Sequence, residues 1–294
     1  MSEITERTNI ISIAEMPVQD IHASMVQLKE MSYYQPLNVV LSNVGSFIPS
    51  EVLNVIKSTT GNLSFKTSDT TIKSPNQLRA SFKDNFSPIL TKMEINGINP
   101  IVARKATLLN TLNKMDFKIK QGDTISSNLK AVLQANEIKV LNTEIKTVMK
   151  KLEEVHTEVF VKNIANACAT ASHNIGFREV EVKTVQGKLE VIATNNNGQR
   201  IISEINIDAK TNQVNANTET KGIIDGSCSL IISNFNDELK KMGIKIGNEK
   251  TTFTRGICQL QYSKIIDQQD KEAQRKKKEH ERLKKLNSFN KQKI

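Results

Sequence analysis

The fold of this chain is decided by the stretch Leu189-Glu-Val-Ile-Ala-Thr-Asn-Asn-Asn-Gly-Gln-Arg-Ile-Ile-Ser-Glu-Ile-Asn-Ile207. Leu189, Val191 and Ala193 are apolar residues at alternate positions, and a second β-prone run begins at Ile201. The residues between the two runs, Asn195-Asn-Asn-Gly198, tolerate the positive φ angles that hairpin turns need. The stretch therefore predicts two antiparallel strands joined by a tight turn.

Two further β-prone runs extend this hairpin on either side. Residues 177–185 carry Phe177, Val180 and Val182, and residues 214–220 follow a short polar connection. Short connections force neighbouring strands to run antiparallel. The sequence thus predicts a four-stranded antiparallel meander with one apolar face, and such a face needs cover from helices.

The segment before the meander predicts one long helix, from about residue 137 to residue 175, followed by Gly176 as its C-terminal glycine. At 1.5 Å per residue it would be roughly 55 Å long. Its apolar residues recur at alternating spacings of four and three, which is a heptad-like pattern. We call these residues the seam: Leu141, Ile145, Val148, Leu152, Val155 and Val159. The seam either packs inside this chain or forms an intermolecular coiled coil.

The part of the chain before the long helix predicts a mainly helical region with irregular portions. Pro75 and Pro100 each open a helical pattern. Residues 1–36 are polar and mixed, and we expect a frayed end there. The predicted fold class is α+β, with a mainly helical region at 1–136, a long connecting helix at 137–176, a module of antiparallel sheet and helix at 177–263, and a basic helical tail at 264–294.

The meander leads through a glycine-rich turn into an amphipathic helix that ends before Gly243. Helix N-termini bind anions and lower the pKa of a nearby thiol, so the turn is a candidate phosphate loop or reactive-thiol site. No Lys follows its second glycine, which excludes a Walker A loop. The structural alternative is a turn whose glycines take positive φ, with a serine cap and a small buried thiol. The candidate residues are Gly222, Asp225, Gly226, Ser227 and Cys228.

The segment around this turn resembles a small uncharacterised bacterial domain. In that family a hairpin leads through a Gly-x-x-Gly-x-x-Cys-like turn into one helix that ends in Leu-Gly. Here the corresponding elements are Glu219-Thr-Lys-Gly222, Gly226-Ser-Cys228, Glu238-Leu239 and Met242-Gly243, and the gap between the first two glycines is one residue longer. The resemblance covers residues 204–258. The family occurs in gene clusters with AAA+ ATPases, some of them defence or stress related, so the resemblance implies an accessory of an ATPase-linked bacterial system and supplies no catalytic residue.

The sequence contains no recognisable catalytic or metal-binding constellation. Its four histidines have no ligand spacing, and Cys168, Cys228 and Cys258 are widely separated without a Cys-x-x-Cys pair. We therefore predict a protein that is not an enzyme and uses no metal or cofactor. Widely spaced cysteines, together with the lack of a membrane-spanning run or a signal-peptide layout, favour the cytoplasm.

The acidic residues predict solvated faces and no buried carboxyl pair for acid–base chemistry. Those that we considered are Glu153, Glu154, Glu179, Glu181, Asp237 and Glu238.

The formal net charge of the chain is +10, and most of it lies in the tail. Residues 271–294 contain ten Lys and Arg and three Glu, a net charge of +7. No aromatic residues interleave the basic residues between Lys271 and Lys285, so any contact with nucleic acid there would be to phosphates. The basic tail residues singled out are Arg275, Lys276, Lys277, Lys278, Arg282, Lys284 and Lys285.

Three functions are compatible with these features. The first, which the resemblance motivates, is a non-enzymatic adaptor or regulatory subunit beside an AAA+ ATPase, with a protein partner. The second is a nucleic-acid-binding protein that uses the tail. The third is a structural protein that forms a homo-oligomer through the seam.

Overall fold

A computed structural model of the chain describes residues 7–17, 34–59, 71–115, 118–120, 124–185, 187–208, 210–211, 213–223, 226–253 and 260–291. It shows a mixed α+β protein with a long central helix, as the sequence predicts. The elements in chain order are β1 (Arg7–Pro17), β2 (Tyr34–Pro36), α1 (Leu37–Asn43), α2 (Ser50–Thr59), β3 (Thr71–Lys73), α3 (Pro75–Ile95), α4 (Pro100–Asn113), β4 (Lys118–Lys120), α5 (Ile125–Gln134), α6 (Ile138–Asn174), β5 (Glu179–Val185), β6 (Lys188–Thr194), β7 (Arg200–Ile207), β8 (Val214–Lys221), α7 (Cys228–Lys241), β9 (Lys245–Phe253) and α8 (Gln261–Lys291).

Helices α1 to α5 form a helical lobe whose helix starts follow local chemistry. Pro75 opens α3, and the Ser74 hydroxyl before it accepts a hydrogen bond from the backbone N–H of Gln77. The Gln77 side chain in turn accepts from the Ser74 backbone, which completes a capping box. Pro100 opens α4, where Asn99 Oδ1 accepts from the N–H of Ile101 at 2.9 Å. The two helix starts predicted at these prolines are confirmed.

Helix α6 packs against both the helical lobe and the sheet. It ends one residue before Ile175, and Gly176 follows with a φ of +102°, the left-handed conformation expected of a C-terminal glycine. Its N-terminal half packs against α3, α4 and α5, and its C-terminal half packs against the sheet and α7. One helix therefore carries two hydrophobic cores, one in the helical lobe and one beside the sheet.

The seam of α6 packs inside the chain. All six of its residues are buried, the first five in the core of the helical lobe and Val159 in the core beside the sheet. Burial of all six residues leaves the seam without the continuous exposed stripe that a two-stranded coiled coil needs. Of the two interpretations of the seam, packing inside the chain is the one that the structure shows. The structural protein that forms a homo-oligomer through the seam stays a prediction.

The predicted four-stranded meander is confirmed. Strands β5, β6, β7 and β8 pair in sequence order, each antiparallel to the next. In the turn between β6 and β7, the Asn195 side chain accepts hydrogen bonds from the backbone N–H groups of Asn197 and Gln199, both at 3.0 Å. Gly198 completes the turn with a φ of +74°.

The sheet is larger than the meander, because strands from both ends of the chain join it. Strand β1 pairs with β8 on one side and with β9 on the other, and β3 pairs with the end of β1 on the β8 side. Residues 7–17 were expected to belong to a frayed, mainly helical N-terminal region, and this expectation is wrong. The run around Ile11 and Ile13 is instead a central strand, because both side chains fill the core under α6.

A buried polar network ties β1 to α7 and β9. The side-chain amide of Asn9 donates to Asn236 Oδ1 at 3.0 Å, and that of Asn236 donates to Glu249 Oε1 at 2.7 Å. Thr251 Oγ1 donates to Asn9 Oδ1 at 3.1 Å. Both asparagines are almost fully buried. The network therefore satisfies polar groups that would be costly to bury alone, and it links elements more than 200 residues apart in the chain.

Helices cover both faces of the sheet. Helices α6 and α7 cover the face that carries Val191, Ile201 and Ile205. The first turns of α8 lie on the opposite face, where Leu260 and Ile266 form a small core with Ile192 and Ile202. We call this opposite face the α8 face. None of the helices in the described ranges is long and apolar enough to span a bilayer.

Candidate functional site

The glycine-rich turn before α7 has the geometry of a structural turn. Gly222 and Gly226 take φ angles of +76° and +78°, where residues other than glycine are strained. Ser227 occupies the N-cap position of α7, and Cys228 is its first residue. Asp225 lies outside the described residues. The Cys228 side chain is 1% exposed, so a substrate has no access to this thiol in the folded protein.

A second thiol, Cys168, lies in the middle of the core beside the sheet. Burial raises the pKa of Cys168 to about 12, although a hydrogen bond with Ser203 acts in the opposite direction. A thiol protonated at neutral pH is a poor nucleophile. Cys228 and Cys168 are both thiols rather than disulfides, and Cys258 lies outside the described residues.

Three buried glutamates lie on the α8 face, one on each of three adjacent strands. Glu190 on β6 is directly opposite Glu204 on β7, and Glu219 lies on β8. All three are less than 5% exposed. Burial, followed by the charge of Glu204, raises the pKa of Glu190 to about 8. Glu190 and Glu204 thus form a buried carboxyl pair that lies outside the acidic residues for which solvated faces were predicted.

The surroundings of these carboxyl groups explain how the fold tolerates them. Lys188 Nζ lies 2.9 Å from Glu204 Oε1, and the Asn206 amide donates to the same oxygen at 3.0 Å. Glu219 Oε1 accepts the backbone N–H of Leu260 at 3.1 Å, so this carboxylate anchors the residue before α8. The Oε2 atom of Glu190 has no hydrogen-bond partner among the residues that the structure describes. Nowhere in the described ranges do three His, Cys, Asp or Glu side chains converge to hold a metal ion.

The first turns of α8, which we call the root, are fixed to the α8 face by charge as well as by apolar contacts. Arg200 Nη1 lies 2.8 Å from Asp270 Oδ2, and Lys221 Nζ lies 3.3 Å from Asp267 Oδ1. Lys221 also donates to the backbone oxygen of Ser263 at 3.4 Å. These partners are partly buried, where ion pairs are screened less than at an open surface. The root therefore holds the rest of α8 in a defined direction.

Beyond the root, α8 continues as a helical arm over residues 271–291. Every side chain from Lys271 to Lys284 is exposed, including those of the predicted residues Arg275, Lys276, Lys277, Lys278 and Arg282. The backbone of Lys285 is helical, and its side chain lies outside the described part of the structure. A helix exposed on all sides projects from the body rather than packing on it. The predicted basic helical tail is confirmed as a helix.

The arm carries an ordered basic stripe that the charge count alone did not reveal. Lys271, Arg275, Lys278 and Arg282 follow one another at spacings of four, three and four. With 3.6 residues per turn, these four side chains lie within about 60° of one another over about 16 Å of helix. In the sequence the same spacing continues to Lys285. The signal was present in the sequence, since only the order of the charges is needed to find it.

Comparisons of this chain with protein-family models, with curated proteins and with solved structures gave no match.

Proposed function

We propose that this protein is a non-enzymatic, cytoplasmic nucleic-acid-binding protein that contacts the phosphate backbone through the arm of α8. The basic stripe on the arm is the observation that carries this proposal. A row of cations on one helical face suits a regular row of phosphates, and a lysine or arginine that neutralises a phosphate releases a counterion. The root fixes the start of α8 to the sheet, and the arm beyond it is exposed to solvent on all sides.

The composition of the arm favours backbone contact over base recognition. The arm has no aromatic side chain in its exposed basic part, so bases have nothing to stack on there. Contacts to phosphates position a protein on nucleic acid without reading its sequence. We therefore expect binding that is strongly dependent on salt and weakly dependent on sequence.

The test compares two triple variants of equal charge by fluorescence anisotropy with a labelled DNA duplex. The stripe variant carries Arg275→Gln, Lys278→Gln and Arg282→Gln. The control variant carries Lys276→Gln, Lys277→Gln and Lys284→Gln, which lie on the other sides of the same helix. We expect the stripe variant to bind at least about tenfold more weakly, and the slope of log affinity against log salt to fall by about 3.

The control variant should bind within about threefold of the natural protein, since its lysines leave the stripe intact. Equal losses in the two variants would show that only net charge matters, and would contradict a structured interface. An absence of duplex binding at 50 mM salt, together with binding of polyglutamate or another acidic polypeptide chain, would replace nucleic acid by an acidic protein as the partner.

A second candidate function is an adaptor or regulatory subunit beside an AAA+ ATPase in a bacterial system. The resemblance of residues 204–258 motivates it. The test is purification of the tagged full chain from its native host. Stoichiometric recovery of an AAA+ ATPase, retained by the stripe variant, would favour the adaptor; recovery of no ATPase would count against it.

A further inference from the structure

The helical lobe carries an apolar groove between α3 and α6. The groove has a volume of about 360 Å³. Leu78 and Phe82 of α3 form one side of its floor, and Ile145 and Met149 of α6 form the other. Each pair is four residues apart, so the floor is about one helical turn long.

The floor of the groove is incompletely covered. Leu78 and Ile145 are buried at its base, whereas Phe82 and Met149 are only partly buried and face the opening. Phe82 is held in place by stacking on Phe86, with 5.2 Å between the ring centres. Met149 is the adaptable element, because its flexible thioether side chain repacks around different shapes. An aromatic wall beside a methionine suits an apolar side chain that inserts from outside.

The rim of the groove is positively charged. Arg79 on the α3 side forms an ion pair with Glu153, so that acid is already neutralised. Lys146 and Lys150 line the α6 side one turn apart, and both are exposed. Within the described residues, Lys150 forms one loose ion pair, with Glu154 at 3.8 Å. With three basic groups and one acid among the lining residues, the rim is complementary to negative charge.

We propose that this groove is a docking site for an acidic amphipathic helix of a protein partner. Two apolar anchor residues of the partner, one turn apart, would lie on the floor between Phe82 and Met149. Asp or Glu side chains flanking the anchors would meet Lys146 and Lys150. The anchors would supply most of the affinity, and the charges would govern the association rate and the choice of partner.

The same charges exclude two other occupants. The arm of a second copy is basic, so it is repelled by the rim. A nucleic acid presents phosphates at its surface and has no apolar anchor for a floor made of Leu, Phe, Ile and Met. The groove is thus a second binding surface, independent of the nucleic-acid function proposed for the arm.

The experiment uses the full chain and a panel of labelled synthetic peptides of about 16 residues, which is long enough for helix formation. The lead peptide carries two leucines four residues apart on an Ala background with flanking glutamates. One comparison peptide has serines in place of the leucines, and another has lysines in place of the glutamates. Binding is measured by fluorescence anisotropy at 50 mM and 150 mM salt.

Two variants are compared, and in each of them the charge of two exposed lysines is reversed. The rim variant is Lys146→Glu with Lys150→Glu, and the control variant is Lys139→Glu with Lys250→Glu, whose lysines are exposed and do not line the groove. Circular dichroism verifies the fold of each variant. We expect the lead peptide to bind the natural protein at least tenfold more tightly than either comparison peptide.

The natural protein should prefer the lead peptide, which carries glutamates, over the lysine peptide. In the rim variant this preference should be reversed, and the lysine peptide should bind at least tenfold more tightly than the lead peptide. The control variant should retain the preference of the natural protein. The proposal is overturned if no peptide binds at 1 mM, if the serine peptide binds as well as the lead, or if the rim variant keeps its preference. It is also overturned if light scattering shows a dimer that the rim variant abolishes, because the occupant would then be a second copy.

Discussion

Glu190 and Glu204 lie directly opposite each other on neighbouring strands of the sheet, and both side chains are almost fully buried. Two like charges in such a pair repel each other, and burial disfavours either charge. The pair therefore holds a proton at neutral pH on Glu190, whose pKa is raised to about 8. This proton lies on the same sheet face as the root of α8, and Glu219 of the same cluster anchors the residue before that helix.

The first prediction is that Glu190→Gln removes a pH dependence of stability. Because the pKa of Glu190 is about 8 in the folded state and near 4.5 when unfolded, its contribution is fully present below about pH 4.5 and is lost as the pH rises through 8. The natural protein should lose roughly 2–4 kcal/mol relative to the Gln variant between pH 5 and pH 9. Urea titrations of both proteins across this range give the difference curve, and parallel curves would contradict a buried shared proton.

The second prediction concerns the seam of α6. Leu152→Ala should lower the free energy of unfolding by about 2–5 kcal/mol, because Leu152 is 0% exposed in the core of the helical lobe. Asn142→Ala, on the exposed side of the same helix, should change it by less than about 0.5 kcal/mol. Chemical denaturation measures both. Light scattering on the folded variants should give the mass of the natural protein, and a drop in mass for Leu152→Ala alone would show that the seam mediates assembly after all.

The third prediction concerns thiol reactivity. A variant that retains only Cys168, through Cys228→Ala and Cys258→Ala, should react with a disulfide reagent at pH 8 about a thousandfold more slowly than an exposed thiol, because burial raises the pKa of Cys168 to about 12. Adding Thr147→Cys, at an exposed site on α6, provides the fast reference in the same protein. Rapid labelling of Cys168 without denaturant would mean that the core beside the sheet opens readily.

The fourth prediction tests the turn before α7 as a structural element. Gly226→Ala should destabilise the protein by about 1–2 kcal/mol, because its φ of +78° is strained for a residue with a Cβ atom. Among the described residues other than its chain neighbours, no heavy atom lies within 4 Å of the Cβ position, so strain rather than a clash causes the loss. Gly226→Asn should cost less, since Asn tolerates this conformation. Gly45→Ala, in equally open space without a positive φ, is the matched control and should be neutral or stabilising; equal stability of the Gly226 and Gly45 variants would refute the strain.

Local chemistry explains why several elements could be predicted from the sequence. The Asn195–Gly198 turn, the end of α6 at Gly176 and the helix starts at Pro75 and Pro100 all depend on residues a few positions apart. Backbone preferences and capping hydrogen bonds act at that range. The meander followed from the same logic, because its connections are short enough to force antiparallel pairing.

The place of β1 could not be predicted in this way. Its partners β8 and β9 come from the other end of the chain, and the contact between Asn9 and Asn236 joins residues 227 positions apart. A lone strand-like run has no local signal for a partner that distant. The acidic cluster was missed for a related reason, since Glu190 and Glu204 alternate with apolar residues just as solvent-facing side chains of a half-buried strand do.

The sequence by itself determined the periodicities of this protein: the period of two in the meander, the seam of α6 and the ordered charges of the arm. These are properties of residues close together along the chain. Only the tertiary structure decided which faces of the helices and strands pack against each other. The reason is that a face becomes buried only when a second face, often from a distant part of the chain, packs on it. The tertiary structure buried the seam in the two cores of the chain, placed Glu190 against Glu204, and left the arm of α8 and the groove beside Phe82 open to partners.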